Sequence, residues 1–413
     1  MKIRKKKEEI MNKKFLMYGA GNIGRGFIGQ VFSESGYEVT FLDINEKVID
    51  ALNRDGQYPV NIVSDAGNRE ITVKNVKGVL AKDNNVVAEE IFNADIMATA
   101  LGVNVLKYVI KPLSLGIKRR IDAKKPLNII ICENLIDANH YIKDLVLKEL
   151  PVSYAKDFDK YIGLVEASIG RMVPVMDESM QAGNPLRIYV EEYCVLPVDK
   201  DAFVGKIPPV KNLLPFSPFA LYIQRKLYMH NMSHALTAYF GFLTGCKYIS
   251  DAAANGDILY LAHSALIQSA RALAKEHNTG LTPLLDHAGN LISRFQNGAL
   301  KDTTARVGRD TVRKLGVSDR LTGALSLCRK HGVRNTFICA AVAAALLFNP
   351  GDDPASSEVC AYVNASDIQS ALKKYCGLEP CFETELIEKV YNMLKSKMPL
   401  PAIIKLLLSC EKE

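Results

Sequence analysis

The sequence has few of the features that mark membrane or secreted proteins. Its longest unbroken apolar run, residues 337–348, has 12 residues, whereas a helix needs about 20 to span a bilayer. No apolar stretch follows the charged first residues, as a secretion signal would require. The nine cysteines include no C-x-x-C pair. We therefore expect reduced thiols, a cytoplasmic location and no membrane association.

Positive charge is also scarce beyond the first few residues. The formal net charge is +7, but residues 1–14 hold seven basic and two acidic side chains, or +5, which leaves +2 for the other 399 residues. This balance does not support a basic surface for nucleic acid. Residues 1–13 are predicted to form a basic flexible extension, with a weak electrostatic tether to anionic surfaces as the alternative.

The chain has two regions with different periodicity. Within residues 14–195, short apolar runs alternate with helix-like stretches, which is typical of buried parallel strands covered by helices on both faces. The runs are FLMYGA, EVTFLDI, ADIMATA, LNIIICEN and IGLVEASI. From about residue 212, apolar residues recur every three or four positions, which predicts helices over 221–245, 258–277, 284–296, 336–348 and 383–397.

We therefore predict an α/β plus all-α protein with two domains. A doubly wound sheet would occupy residues 14–205 and a helical domain residues 206–413. The boundary is placed within segment 197–218, because its five prolines resist regular structure.

The first apolar run leads into a G-x-G-x-x-G pattern at Gly19, Gly21 and Gly24. In a dinucleotide-binding turn the first glycine permits the tight bend, the second lets the backbone approach the pyrophosphate, and the third lets the helix pack on the strand. The phosphates would lie at the positive end of that helix, beside Asn22 and Ile23. The alternative is a glycine-rich turn with a purely structural role.

An acidic residue at the expected distance strengthens the prediction of a Rossmann-type cofactor site. Asp43 ends the second apolar run, 19 residues after Gly24, where a carboxylate would bond the ribose 2′-hydroxyl. The same carboxylate would repel the 2′-phosphate of NADP, so NAD is the predicted cofactor. Arg25, inside the loop, is expected either to reach a phosphate or to cap the surface.

One predicted helix carries three polar side chains that suit alcohol–ketone chemistry. At about 100° per residue, Asn231 and His234 lie about 140° and 80° from Lys226, so all three fit one broad face. Lys226 would act as the general base, Asn231 would stabilise the oxyanion, and His234 would hold a substrate hydroxyl. An exposed polar face with a capping Asn is the alternative.

The same helix carries two histidines at a spacing that suits a metal ion. His230 and His234 are four residues apart, as a pair of metal ligands would be. Asn231 stands where an H-E-x-x-H pattern has Glu, and no nearby acid on this helix offers a third ligand. No metal is therefore predicted.

A second group of basic residues follows in the segment ARVGRDTVRKLG. On a helix, their spacing would gather them on one side; they are Arg306, Arg309, Arg313 and Lys314. Arginine forks and a lysine point charge together suit a phosphate group. The alternative is a solvated face whose charges pair with nearby acids: Asp302, Asp310 and Asp319.

Nearly the whole chain after residue 13 resembles the polyol-specific long-chain dehydrogenases. The motifs that carry the resemblance are GAGNIGRGFIG, LNIIICEN, RKLYMHNMSHALTAY, KDTTARVGRDTVRKL, DRL and DDP. The resemblance implies a dinucleotide-binding domain and a helical domain with the active site between them. It also implies metal-independent, NAD-dependent interconversion of mannitol 1-phosphate, a small sugar phosphate, and fructose 6-phosphate.

The resemblance also implies roles for individual residues. The family pattern K-x4-N-x2-H falls on Lys226, Asn231 and His234, which implies the base, an oxyanion donor and a substrate contact. The family's second oxyanion asparagine corresponds to Asn134 in CENL.

Within the basic segment, the family's sugar-contacting Arg and Lys correspond to Arg306 and Lys314. Arg309 and Arg313 then remain, from their charge and spacing, as candidates for the substrate phosphate.

The chain departs from the family pattern at two positions. Gly170 in IGRM stands where relatives typically have an acid, although Arg171 is kept, and Gln224 stands where Glu is expected. A missing carboxylate near the base would alter the pH dependence. Glu166 would compensate if it faced the pocket.

Two other functions remain open at this point. One is a hexuronate reductase or free-polyol dehydrogenase of the same family. The other is a non-catalytic NAD(H)-sensing protein, which only the two departures favour, since fold alone does not establish activity. We expect a monomer or a weak oligomer.

Overall fold

The computed structural model describes residues 13–65, 67–174, 176 and 178–411, and eleven strands lie between residues 14 and 216. Except for Lys13, the predicted basic extension lies outside the described residues. The strands are β1 (Lys14–Tyr18), β2 (Glu38–Asp43), β3 (Gln57–Ser64), β4 (Gly67–Lys74), β5 (Val76–Leu80), β6 (Ile96–Thr99), β7 (Leu127–Ile131), β8 (Ile162–Glu166), β9 (Ile188–Val190), β10 (Leu196–Asp199) and β11 (Leu213–Phe216).

Six of these strands form one parallel sheet, in the order β5-β2-β1-β6-β7-β8. Counted along the chain within this sheet, the order is 3-2-1-4-5-6, that of doubly wound dinucleotide-binding domains. All five predicted strands belong to it, so the predicted fold class is confirmed. β5 was not predicted, because Lys77 and Gly78 interrupt its apolar pattern.

Both faces of this sheet are buried, which explains the unbroken apolar runs. Phe15 and Met17 of β1 pack into one core cluster, and Leu16 and Tyr18, which alternate with them, pack into another. Helices cover the two faces. The α-helices before Gln224 are Gln30–Glu34, Glu46–Asp55, Asn84–Asn93, Val103–Asp122, Ala138–Glu149, Ala155–Tyr161 and Glu178–Gln181, with a π-helical turn at Gly24–Gly29 and a 3₁₀ turn at Val152–Tyr154.

Smaller sheets account for the other strands. β3 pairs antiparallel with β4 and parallel with β9. β10 pairs parallel with β11 inside the proline-rich segment. The chain divides into two compact units between Ile223 and Gln224, so both of these strands belong to the first unit. The domain boundary placed after residue 205 stays a prediction.

The second unit is helical, and no described residue beyond Phe216 lies in a strand. Its α-helices are Met232–Leu243, Ile249–Ala254, Gly256–Glu276, Leu281–Phe295, Thr304–Gly308, Thr311–Leu315, Thr322–Lys330, Thr336–Leu347, Pro354–Ala365, Ile368–Ala371, Phe382–Lys395 and Leu400–Cys410. A helix at Ala220–Arg225 leads into a π-helical turn at Lys226–Asn231, and shorter turns lie at Gly298–Leu300 and Leu372–Cys376. All five predicted helices are present.

The longest apolar run of the sequence forms the centre of the second unit. It folds as Thr336–Leu347, of which only Leu347 is not fully buried. A helix that is apolar all round is buried on every side. Among the described residues, no helix combines the length and the apolar character needed to cross a membrane.

Candidate active site

Two glycines of the G-x-G-x-x-G loop are required by the fold itself. Gly19 has φ +106°, and its N–H donates to the Leu42 carbonyl oxygen at 2.8 Å. A β-carbon on Gly19 would collide with the Ala100 carbonyl group, and one on Gly24 would collide with the carbonyl group of Gly19. A larger residue at either position would therefore destabilise the fold, whether or not a ligand binds.

Gly21 is different, because the fold does not require glycine there. Its φ is not positive, and a β-carbon would have no heavy atom within 4 Å. The open space lies where a helix begins at Asn22, the end at which a phosphate is favoured. A purely structural turn gives no reason for this glycine, whereas a pyrophosphate that approaches the backbone does. The loop therefore fits a dinucleotide.

Asp43 lies against the same loop. It ends β2, and its carboxylate accepts hydrogen bonds from the Ala20 N–H at 2.7 Å and from the Asn45 N–H at 2.9 Å. Asn22 donates from its side chain to the Pro174 carbonyl at 3.3 Å, and Ile23 packs on the core. The predicted cofactor residues are thus brought together at one edge of the sheet.

Arg25 does neither of the two things expected of it. Its side chain is buried, and its guanidinium donates to the carbonyl oxygens of Ala20 at 2.7 Å and Pro185 at 3.0 Å. Burial lowers the pKa of this guanidinium. Arg25 therefore stabilises the glycine loop through buried hydrogen bonds and does not point towards a ligand phosphate or the surface.

Asn134 follows the carboxyl end of β7 and is exposed. The preceding Glu133 is buried, and its carboxylate accepts the N–H groups of Leu101 at 2.9 Å and Gly102 at 2.8 Å. These two bonds join the loop after β7 to the loop after β6. Asn134 is therefore held on a fixed backbone.

In the second unit, Lys226 and Asn231 begin and end a π-helical turn. The angle expected between them assumed a regular α-helix, and it is wrong for this turn. In a π turn, hydrogen bonds run from residue i to residue i+5, so Asn231 returns above Lys226. His234 follows three residues later in a regular α-helix and shares that face. Such turns are frequent at functional sites.

His234 is enclosed by apolar and acidic groups. Its ring stacks on Phe295 at 4.9 Å between centroids, and its Nε2 lies 3.7 Å from Asp302 Oδ2. Nε2 is buried and forms no hydrogen bond within the described structure. Burial lowers the pKa of His234 to about 4, although Asp302 opposes this shift. At neutral pH the imidazole is therefore uncharged and has a polar atom left for a ligand.

His230 packs inside the same turn, 5.9 Å from the His234 ring and 5.8 Å from Phe295. Burial lowers its pKa strongly. Within the described ranges, no three His, Cys, Asp or Glu side chains cluster as ligands for a metal ion.

The basic segment does not form the single helix that its spacing suggested. Thr304–Gly308 and Thr311–Leu315 are separate short helices, because the chain turns at Asp310, where φ is +66°. Gly308 lies against Phe348 so closely that a β-carbon would overlap the ring. The predicted one-sided helical face is therefore wrong.

The three arginines of this segment are ion-paired and about half-exposed. Arg306 forms two bonds to Asp302, at 2.6 and 2.5 Å. Arg313 contacts Asp310 at 2.5 Å and Asp319 at 3.4 Å. The acids considered as alternative partners thus do pair with two of these arginines.

Arg309 contacts the acids of the DDP motif, with 3.2 Å to Asp352 and 3.8 Å to Asp353. Lys314, by contrast, is buried and donates to the Val307 carbonyl oxygen. Burial and the nearby Arg320 and Arg313 lower its pKa well below the ordinary range.

The helix that bears Lys226 and the basic segment meet at His234. The charges that act on its imidazole are Asp302, Arg306, Lys314 and Arg320. Sequence reasoning missed Arg320, because it lies outside the regular spacing of the other basic residues. Its place in the DRL motif was the available signal.

The structure shows the neighbours of Gln224 and Gly170, the two residues that depart from the family pattern. Gln224 Oε1 lies 2.9 Å from His277 Nε2, and Gly170 lies beside Tyr193. Glu166 is in the first unit at the end of β8, where burial, Asp137 and Asp199 raise its pKa.

Arg171 is buried and donates to the Glu191 and Gly26 carbonyl oxygens and to Gln30 Oε1. Arg171 therefore joins the helix that follows the glycine loop, through Gly26 and Gln30, to the backbone at Glu191.

Two family models match the chain. The mannitol dehydrogenase Rossmann domain matches residues 13–212, and the mannitol dehydrogenase C-terminal domain matches residues 219–389. A mannitol-1-phosphate 5-dehydrogenase of Shouchella clausii is 36% identical over 367 residues, which cover 89% of this chain and 96% of that protein. One of Thermoanaerobacter pseudethanolicus is 33% identical over 383 residues, which cover 92% and 97%.

Solved structures have the same fold. A D-sorbitol dehydrogenase in substrate-free form aligns with a TM-score of 0.78 at 16% identity and covers 96% of each chain. Pseudomonas fluorescens mannitol 2-dehydrogenase, in a ternary complex with NAD and D-mannitol, aligns with a TM-score of 0.75 at 14% identity and covers 97% of this chain and 95% of that one.

Proposed function

The chain belongs to the mannitol dehydrogenase family and is a dehydrogenase, and we propose that it interconverts D-mannitol 1-phosphate and D-fructose 6-phosphate with NAD. The relatives with 33% and 36% identity carry the corresponding name. The observation that carries the proposal is the meeting of the Lys226 helix with several cations at His234. Such a neighbourhood suits a polyol that bears an anionic group.

Lys226 is the proposed general base for alcohol oxidation and the general acid for ketone reduction. It begins the π turn that Asn231 ends, which supports a shared site for Lys226, Asn231 and His234. A general acid or base positioned in this way typically increases the rate by a factor of about 10²–10⁴. His234, uncharged at neutral pH, would hold a neighbouring hydroxyl through Nε2.

Asn231 and Asn134 are the proposed donors to the oxygen on which negative charge develops. A side-chain amide offers two N–H donors and is not itself ionised. Donors fixed before the reaction stabilise an oxyanion without reorganisation. The π turn fixes Asn231, and the Glu133 bonds to Leu101 and Gly102 fix the backbone before Asn134.

The glycine loop and Asp43 would hold the dinucleotide. When bound, NAD supplies the ring that takes hydride from the alcohol carbon, and NADH returns it. The open space at Gly21 would admit the pyrophosphate. The Asp43 carboxylate would accept a hydrogen bond from the ribose 2′-hydroxyl of NAD and would repel the 2′-phosphate of NADP. The other proposed contacts of the loop are Gly19, Asn22, Ile23 and Gly24.

Arg306 and Lys314 are the proposed contacts to the sugar, as in the family pattern. Arg309 and Arg313 remain candidates for the phosphate. Each is already paired with carboxylates, so a phosphate would have to compete with those acids.

Replacing the proposed base tests the assignment directly. We expect Lys226→Ala to lower the kcat for fructose 6-phosphate reduction by about 10²–10⁴ while NADH still binds, as measured by fluorescence titration. Lys389→Ala is the matched control, because Lys389 is exposed on the helix Phe382–Lys395. Near-normal turnover in Lys226→Ala would remove Lys226 as the base.

A further inference from the structure

Arg320 differs from the other arginines near His234 in its burial and in its bonding. Its side chain is 10% exposed, whereas those of Arg306, Arg309 and Arg313 are 44%, 42% and 46% exposed. Its Nε donates to Asp319 Oδ1 at 2.8 Å. In the part of the chain that the structure describes, neither terminal nitrogen forms a hydrogen bond. Arg320 therefore combines a fixed orientation with an unused pair of donors.

The position of Arg320 is set by its neighbours in the DRL motif. Asp319 Oδ1 accepts both the backbone N–H of Arg320, at 2.6 Å, and its Nε. The residue lies just before the helix Thr322–Lys330. A guanidinium held through Nε presents its two Nη groups as a fork, which is the geometry that matches phosphate oxygens.

Within the described chain, two buried polar atoms without hydrogen-bond partners belong to residues on which the charge of Arg320 acts. The Tyr239 hydroxyl is completely buried and has no hydrogen-bond partner in the described residues. After burial, Arg320 has the largest effect on the Tyr239 pKa. The His234 Nε2 atom is also without a hydrogen bond, and Arg320 acts on it too. Buried polar atoms in native proteins usually have partners, so these atoms point to a polar ligand.

Two buried cations next to His234 favour an anion. Lys314 and Arg320 are both buried, and both act on the His234 imidazole. Burial lowers the pKa of Lys314 well below its ordinary range, and repulsion from Arg320 and Arg313 lowers it further. A phosphate dianion between these cations would relieve the repulsion.

We propose that Arg320 binds the phosphate of the substrate, with its two Nη groups donating hydrogen bonds to two phosphate oxygens. The inference rests on the proposed function, since it specifies the phosphate contact of that same substrate. It makes Arg320 the determinant of phosphorylated over free sugar. Arg309 and Arg313 are then held by their acids, and their contribution is smaller.

Arg320→Gln tests this assignment, because glutamine keeps much of the side-chain length and can still bond Asp319. We expect kcat/KM for fructose 6-phosphate to fall by about 100-fold, as two charge-assisted bonds are lost. The value for fructose should change by less than about threefold. Arg271→Gln is the matched control, because Arg271 is exposed on the helix Gly256–Glu276. Arg313→Gln is the rival variant and should cost less than Arg320→Gln.

A second measurement separates this inference from the proposed function. Thermal unfolding of the NADH complex is followed with and without inorganic phosphate, since a ligand that binds the native state raises the midpoint. Phosphate should stabilise the wild-type protein and not Arg320→Gln. This readout does not depend on turnover, so an inactive wild-type protein that phosphate stabilises through Arg320 would refute the function and keep the site.

Three results would overturn the inference while the function stands. The first is an equal loss of activity on fructose 6-phosphate and fructose in Arg320→Gln. The second is equal stabilisation of wild type and Arg320→Gln by phosphate. The third is a larger loss in Arg313→Gln than in Arg320→Gln.

Discussion

Alanine at Gly21 and alanine at Gly24 should have opposite consequences, because the two glycines have different surroundings. A β-carbon at Gly21 would have no heavy atom within 4 Å. Replacing glycine at a position whose conformation alanine accepts stabilises by about 0.4–1 kcal/mol. A β-carbon at Gly24 would lie 3.1 Å from the carbonyl carbon of Gly19 and closer still to its oxygen. Overpacking of this kind costs about 1–3 kcal/mol.

These free energies translate into measurable changes. A loss of 1 kcal/mol lowers the Tm of a unit of 150–250 residues by about 2–4 °C. Gly24→Ala should therefore melt about 2–12 °C below the wild type, and Gly21→Ala should melt at or slightly above it. NADH affinity should show a different pattern. The Gly21→Ala methyl would occupy the space that the pyrophosphate needs, so Kd for NADH should rise about tenfold or more.

Two assays on the same preparations decide the matter. Thermal melting without ligand reports the fold, and fluorescence titration with NADH reports the cofactor site. A Gly21→Ala protein that is folded and binds NADH as tightly as the wild type would refute the assignment of this loop to the pyrophosphate. Equal destabilisation by both variants would contradict the geometry on which the argument rests.

Asp43→Asn should raise Kd for NADH more than Kd for NADPH, because the repulsion of a 2′-phosphate is removed. The ratio of the two constants measures this, and an unchanged ratio would exclude Asp43 as the ribose acid. Burial holds the pKa of His234 at about 4, below the ordinary 6.5, so the unfolded chain binds the proton more readily between these values. The free energy of unfolding should therefore fall by about 3 kcal/mol from this group as the pH drops from about 6.5 to 4. Chemical denaturation at several pH values in this range gives the free energy of unfolding at each pH. Its dependence on pH should be weaker in His234→Gln than in the wild type, and an unaltered pH dependence would contradict the burial of His234.

Continuous apolar runs made most of the sheet predictable. Residues such as Phe15 to Tyr18 are buried on both faces, so the sequence needs no alternation there. β5 escaped prediction because Lys77 and Gly78 interrupt its apolar pattern. Likewise, β4 is largely exposed and carries polar residues, and β11 is only partly buried and contains a proline.

The finer geometry of the candidate site depends on departures from regular helices. The π turn at Lys226–Asn231 cannot be predicted from a period of 3.6 residues, which misplaces Asn231 relative to Lys226. The break at Asp310 was also hidden, because its residues fit a helical spacing. Arg320 acts electrostatically on residues far from it along the chain, such as His234 and Tyr239, so its place at the site follows only from the three-dimensional structure.

The reaction proposed for this protein is the reduction of fructose 6-phosphate by NADH. The most direct test measures NADH consumption by the purified full-length protein with fructose 6-phosphate, fructose and tagaturonate in parallel. We predict rapid consumption with fructose 6-phosphate and little with the other two. Faster consumption with fructose or tagaturonate would contradict the phosphate assignment and favour a free-polyol dehydrogenase or a hexuronate reductase. No consumption with any of the three, by protein that still binds NADH, would contradict the proposed reaction itself.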